Sequence, residues 1–580
     1  MTIATATTSF PASQWYYLIG LLVFYCVCVS LLFAFGKATG TPSMVKFPFL
    51  QISDSLRRLT GFPGWAMGGV LTGLLFLLIA VIGFYWDVAW HIDLGRDKNV
   101  FTPPHVMILV GLWGISFAGV VTAVMASIER VRIPKAAMLL GLLGVVAATA
   151  FPIDNLWHKA YGLDITLWSP SHLQLVTGGG FGTLGVLLLL AEAMPRARPT
   201  LLGRGIVVLA FGAALVGMSV FLGEFDYGVP QFQLVYLPIL LVAAAGFTLV
   251  LARIALGPGG AVKAVFVYLV LRGVIALVVA GALDHSFPRF PLYLFAAVAV
   301  EGAAALVGTA SRLRFALVAG ALVGTLGLAG ELAFVGLSGY GPLSASLLPR
   351  TILLAVPAAF AAAVLGAGLA RVFSPGDRRV PGAAAALACV VLVAALLIPL
   401  ARNVGHVHAV IRLDRSQGQA HVEVALQPAA AARRAAAFGV LSWQGGGRVR
   451  TTFHEIRPGH YVSSGAVPVY GTWKSMVVLY RGDEVMAAPI YLPADPAIKA
   501  TAVPAVSRRS VDFVRNTKVL LREAKPGPPL PATLAYAVWG ASTVLWVAFL
   551  AFTTWQTGRR EPERPSRAAG NEPRPLPAGA

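Results

Sequence analysis

Polar positions in this chain are confined to short stretches between apolar runs of about twenty residues, the length a helix needs to cross a bilayer. The pattern predicts membrane helices at 15–35, 65–88, 104–127, 136–157, 170–193, 205–224, 232–253, 262–283, 290–309, 315–337, 346–371, 382–400 and 531–554. Between 401 and 527 the pattern changes. Short segments such as 406–413, 421–426 and 476–480 alternate apolar and polar positions and are separated by Gly, Asp and Pro. A period of two predicts half-buried strands. The expected architecture is an all-α polytopic bundle of thirteen helices, with 1–400 as its main body. A periplasmic β-sandwich at 401–527 is inserted before a last transmembrane helix at 528–556, and a disordered cytoplasmic tail follows at 557–580.

Composition fits that pattern, with 57% hydrophobic and only 12% charged residues. A net charge of +20 would by itself suggest a nucleic-acid partner, but its distribution does not. Lys37, Lys46, Arg57 and Arg58, then Arg130, Arg132 and Lys135, then Arg196, Arg198 and Arg204 fall in alternate loops. Arg253 and Lys263, Arg312 and Arg314, Arg371, Arg378 and Arg379, and finally Arg559 and Arg560 continue the series. Positive charge in alternate loops marks the cytoplasmic side. The predicted placement is thus a multi-pass protein of a bacterial-type cytoplasmic membrane, N-terminus outside and C-terminus inside. The run 15–35 has no basic residues before it and reads as a retained helix rather than a signal peptide. Cys26, Cys28 and Cys389 all lie in apolar segments, which indicates neither a disulfide framework nor a zinc finger.

The outward loops hold the candidate chemistry. Asp87 and His91 are four apart, on one face of a helix. Pro103 and Pro104 suit the first turn of the next helix, with His105 just inside it. The hairpin 65–127 therefore gathers one carboxylate and two imidazoles, a candidate three-ligand metal site with room for a further ligand. The hairpin 136–193 repeats it: Asp154, His158 and His172 have the same spacing, Trp90 matches Trp157, Gly95 matches Gly162, Asp97 matches Asp164, and Thr102-Pro103 matches Ser169-Pro170. Taken singly, a His beside Trp is often an interfacial anchor and a helix-end Asp a cap. Two matching outward triads favour metal. Arg96, Asp97, Asp164 and Asp93 read as groups that orient the imidazoles by hydrogen bonds.

The segment from about Trp65 to Gly180 resembles the metal-binding part of the C subunit of the copper membrane monooxygenases, the family of particulate methane and ammonia monooxygenases. The likeness rests on Trp90-His91, Arg96-Asp97 and Phe101-Thr102-Pro103-Pro104-His105. The resemblance implies copper at Asp87, His91 and His105, and a second copper site at Asp154, His158 and His172. This sequence has one extra residue between His91 and His105, and Asp154 stands where the family has Asn. Ligand type alone also suits zinc or iron(II). The expected function is O2-dependent oxidation of a small hydrophobic or reduced substrate. The competing classes are copper transfer to other cuproenzymes and metal binding without turnover. The bilayer, other membrane or periplasmic subunits, and a copper or electron donor are the partners such a protein would use.

Two charges fall inside apolar runs, Arg272 and Glu301, and are expected to pair with each other, because an unpaired charge at that depth is costly. Glu331 is a further buried candidate. In the 401–527 region, Gly459-His460-Tyr461 and Gly471-Thr472-Trp473 resemble the FixH/YtkA type of periplasmic domain. His406 and His408 would share one strand face there, a candidate second location for metal.

Overall fold

The computed structural model describes residues 46–95, 101–162, 168–231, 233–338, 345–373, 380–397, 406–433, 435–482, 484–522, 524 and 529–557, with a few single positions between 20 and 30. The predicted helix at 15–35, the residues Arg96, Asp97 and Asp164, and the predicted tail lie outside them.

Among the described residues ten helices are long and apolar enough to cross a membrane, which makes this a multi-pass membrane protein. Those used below are α1 (Lys46–Thr60), α2 (Gly64–Asp93), α3 (Pro103–Ile128), α4 (Lys135–Ala148), α5 (Ala150–Tyr161) and α6 (Pro170–Ala193). They continue with α7 (Leu201–Ser219), α8 (Tyr236–Leu256), α9 (Gly260–Leu277), α10 (Leu294–Val307), α11 (Arg312–Leu322), α12 (Leu328–Ser338), α13 (Leu348–Leu369), α14 (Gly382–Leu397) and α15 (Pro529–Thr557). Helices α4 and α5 join at Thr149 into one span, and so do α11 and α12 through a π-helical turn. The predicted spans at 290–309 and 382–400 are instead the shorter apolar helices α10 and α14.

Helices α2 and α3 form the first ligand hairpin. They approach closely because small residues meet at the crossing: a Cβ added to Gly111 would lie 2.6 Å from Ala80, and one on Gly83 would lie 2.9 Å from the Ile108 nitrogen. Close backbone approach through small residues is how membrane helices gain packing without a hydrophobic driving force.

Buried and half-buried glutamates stitch the opposite, basic end of the bundle. Glu129 accepts from the Trp65 N–H and the Ser53 hydroxyl, both at 2.7 Å. Glu192 accepts from the N–H groups of Lys135 and Ala136, each at 3.2 Å. Glu301 accepts from Gly259 and Ala261 at 3.1 and 2.9 Å. Each carboxylate satisfies donors at the start of a neighbouring helix, where the unpaired N–H groups and the helix dipole favour negative charge. Glu331 plays the same part before α10, accepting from Leu292 and Tyr293 at 2.6 and 2.9 Å.

This arrangement corrects the expected Arg272–Glu301 pair. Glu301 pairs with Arg253, at 2.7 Å, while Arg272 pairs with Asp226, also at 2.7 Å. The reason is depth. Glu301 reaches the first residues of α9, whereas Arg272 lies some twelve residues further along the same helix, about 18 Å at 1.5 Å per residue. Asp226 comes from the short helix Gly223–Asp226, at the ligand-bearing end.

The β-rich domain is a ten-stranded antiparallel sheet. Its strands are β1 (His408–Ser416), β2 (Gln419–Gln427), β3 (Ala437–Trp443), β4 (Val449–Arg457), β5 (His460–Ser463), β6 (Val467–Pro468), β7 (Lys474–Arg481), β8 (Glu484–Tyr491), β9 (Arg508–Asp512) and β10 (Val514–Arg515). The order is β10-β8-β7-β3-β4-β5-β2-β1-β9, with β6 on β2. The sheet bends at β4, and its two halves enclose a core of Ile411, Val422, Val424, Val477, Leu479 and Met486. Every residue of β7 from Lys474 to Tyr480 is buried. One face of that strand packs on the domain core. Its other face, with Trp443 and Tyr480, joins the hydrophobic core of the bundle. A strand covered on both faces has no solvent side to mark with polar residues.

Candidate metal centre

The helix-to-helix turn of each hairpin is set by local chemistry. Helix α3 begins with Pro103 and Pro104, and α6 begins with Pro170. Proline fits the first turn because its missing N–H would have no partner there. Ser169 caps α6, its hydroxyl accepting from the His172 N–H at 3.2 Å. At the preceding ends, Gly95 and Gly162 adopt φ of +100° and +90°, conformations in which a side chain would be strained. These turns bring the C-terminal part of one helix against the N-terminal turn of the next, and the predicted ligands meet.

Both triads assemble as expected from the spacing. Asp87 Oδ1 lies 3.1 Å from His105 Nε2 and 3.7 Å from His91 Nε2. In the second hairpin, Asp154 Oδ1 lies 3.4 Å from His172 Nε2, and Oδ2 lies 3.5 Å from His158 Nε2. The two imidazole rings are 6.2 Å apart in one triad and 6.0 Å in the other. Within each group, one potential ligand atom per residue falls within 4.8 Å of the rest. The fit to a metal is good on a further count. Asp87 Oδ1 is buried and faces the Nε2 atoms of both His105 and His91, so the three donors converge on a common centre.

The triads are neighbours. The ring of Phe151, three residues before Asp154, stands edge-on to His105 at 5.6 Å. Asp87, His105, Asp154 and His172 all line one cavity of about 330 Å³. The rest of its wall is almost wholly apolar, including Leu74, Leu78, Val81 and Phe84 of α2 and Leu271 and Ile275 of α9. Gly179, Gly180 and Gly217 leave the space that larger side chains would fill. Leu75 both lines the cavity and is 55% exposed on α2, so the chamber lies against an exposed apolar stretch of that helix.

The carboxylates are supported differently. The Ser171 hydroxyl donates to Asp154 Oδ1 at 2.6 Å and lies 3.1 Å from the Ser169 hydroxyl. The equivalent of Ser171 in the first hairpin is Pro104, which has no donor. A partner that fixes a ligating carboxylate typically contributes 10–100-fold in metal affinity. Ser171→Ala should therefore weaken metal binding at the second triad by about tenfold or more and leave the first unchanged. Competition titration of the two sites, each isolated in a variant lacking the other, measures this.

Other expected residues fall elsewhere. Asp93 does not orient an imidazole of the triad. Its carboxylate takes the His285 ring nitrogen at 3.1 Å and the Ser286 N–H at 2.6 Å, tying α2 to the loop before α10. His408 is not available to a metal with His406, because its Nδ1 meets Asp512 and its Nε2 meets Ser510, both at 2.7 Å. Antiparallel pairing of β1 with β9 places His408 opposite Asp512.

Sequence reasoning missed the network behind Asp87. Tyr85, two residues earlier, donates to Asp226 Oδ2 at 2.8 Å, and the Tyr227 hydroxyl donates to the Tyr85 carbonyl at 2.6 Å. Arg272 stacks over the Tyr85 ring at 3.9 Å. Compared with protein families, curated proteins and solved structures, the chain matches none of them.

Proposed function

We propose that the two triads hold copper at the wall of the apolar chamber, and that the protein oxidises a small hydrophobic or reduced substrate with O2. The observation that carries this reading is the chamber itself: four ligands from two triads border one space that is otherwise almost wholly apolar and lies against the exposed Leu75 of α2. The resemblance of 65–180 to the copper membrane monooxygenases selects copper among the metals that carboxylate and imidazole ligands suit. Copper bound there would supply the redox chemistry for O2. The chain's own residues bind and orient. Asp87, His91 and His105 provide three donors and leave coordination positions open. Leu74, Leu78, Val81 and Phe84 exclude water and admit an apolar molecule from the bilayer. The second triad, fixed more firmly through Ser171, supports the first.

This reading places the triads and the β-rich domain on the outer face of a bacterial-type cytoplasmic membrane, where copper is accessible. The alternation of basic loops supports that side. The test is a comparison in cells carrying Asp87→Ala. The expected result is loss of an O2-consuming activity while copper-requiring oxidases elsewhere keep theirs. If those oxidases fail instead and recover with added copper, the protein is a copper-transfer factor and the proposal is wrong.

A further inference from the structure

The two triads have the same ligands at the same spacing, and among the described residues the first hairpin is bound to the β-rich domain through backbone carbonyls next to its ligands. The turn between β3 and β4 sits on the end of α2, at His91 and the two residues after it. The Gln444 N–H donates to the Ile92 carbonyl at 2.9 Å, and the Gly446 N–H donates to the Asp93 carbonyl at 3.0 Å. The Gln444 side chain donates through Nε2 to the His91 carbonyl at 3.0 Å. The last carbonyls of a helix have no partner within it. Here three consecutive carbonyls at the end of the ligand helix are taken by one turn of a domain some 350 residues later in the chain.

The turn is shaped for this. Gln444 adopts φ +61° and Gly446 φ +92°, and a non-glycine residue in the left-handed region persists only where its surroundings hold it. Gln444 is buried, 6% exposed. Gly95 makes room for it, since a Cβ there would lie 3.2 Å from the Gln444 side chain. Gly162 ends the second ligand helix with the same kind of φ, but the contact with Gln444 belongs to the first hairpin.

We propose that Gln444 is a positioning residue for the first metal site: the β-rich domain clamps the end of α2 and so sets where Asp87 and His91 point. The second site has Ser171 for its carboxylate; the first has Pro104 in that place and is held from the far side by the clamp. This inference rests on the two-site metal reading, and its test separates the two.

Gln444→Glu keeps the size of the side chain but replaces its donor with a negative charge against the helix C-terminus, where negative charge is unfavourable. Gln444→Lys keeps a donor and adds a charge that this helix end favours. In the full-length protein two measurements are made on each variant. The first is copper affinity of one triad at a time, in His158→Ala and in His91→Ala backgrounds. The second is amide exchange in the metal-free protein.

The expected result for Gln444→Glu is about tenfold weaker copper binding at the first triad, no change at the second, and faster exchange at the end of α2 but not of α5. Gln444→Lys should keep the affinity of the unsubstituted protein. Equal weakening of both triads, or unchanged affinity despite faster exchange at α2, would overturn the positioning role. So would unchanged exchange at α2. If neither background binds copper, the two-site reading itself fails, and the clamp loses the site it was proposed to position.

Discussion

Replacing Asp226 with Leu, with Arg272 left in place, should destabilise the protein by about 3–5 kcal/mol, the range for breaking one half of a buried pair. Arg272 is 1% exposed and Asp226 likewise. The guanidinium would keep the faces of Tyr85 and Phe290, at 3.9 and 5.1 Å, and the Arg289 carbonyl at 3.2 Å. None of these carries a negative charge. Tyr85 would lose its acceptor as well. The double variant Asp226→Leu with Arg272→Leu removes both charges and should be far better tolerated than the sum of the single changes, because desolvation of an ion pair nearly cancels its attraction. Thermal inactivation in detergent and accumulation in membranes check this. Strictly additive losses would mean that the two charges are not coupled. A second consequence follows from Tyr85 lying two residues before Asp87: the Asp226 variant should also lose copper more readily from the first triad than from the second.

Ten of the thirteen expected membrane helices, and the grouping of each ligand triad, were legible because each rests on a short-range rule. Apolar length gives the spans. The i, i+4 spacing of Asp87 and His91, and the prolines before His105, give the site without knowledge of any distant contact. What escaped depends on long-range pairing. Arg272 was rightly expected to find a carboxylate, but at least three acids were in reach by composition. Only the depth at which each helix starts distinguishes Asp226 from Glu301. Glu301 is expected from its depth in an apolar run to need a cation, and it has one in Arg253, but it also accepts from the backbone N–H groups of Gly259 and Ala261, which no side-chain pattern reveals. His406 and His408 looked like a ligand pair because alternation puts them on one face. The register of β9, which sets Asp512 opposite His408, is not visible locally. Gln444 had no signal at all, since its partners lie some 350 residues away. Ser171 had one: it is the position at which the two otherwise matching hairpins exchange a hydroxyl for a proline.

Replacing His91 and His158 together with Ala should remove bound copper from the purified protein, while each single substitution should empty only its own triad. The argument is one of ligand number. Each group offers three donors within 4.8 Å of one another, and no fourth His, Cys, Asp or Glu joins either group among the described residues. A carboxylate and one imidazole remain after either change, too few to hold copper against dialysis when the usual complement is three or four. The substitutions are mild for the fold. Both histidines lie in the last turns of their helices, at the cavity end of the bundle, and Ala has the highest helix propensity. Elemental analysis after copper loading and dialysis gives the stoichiometry, and circular dichroism confirms that the helices persist. Unchanged copper in the folded double variant would place the metal elsewhere. Equal loss of all copper from His91→Ala alone would show one shared centre spanning both triads, with the chamber between Asp87 and Asp154 as its seat.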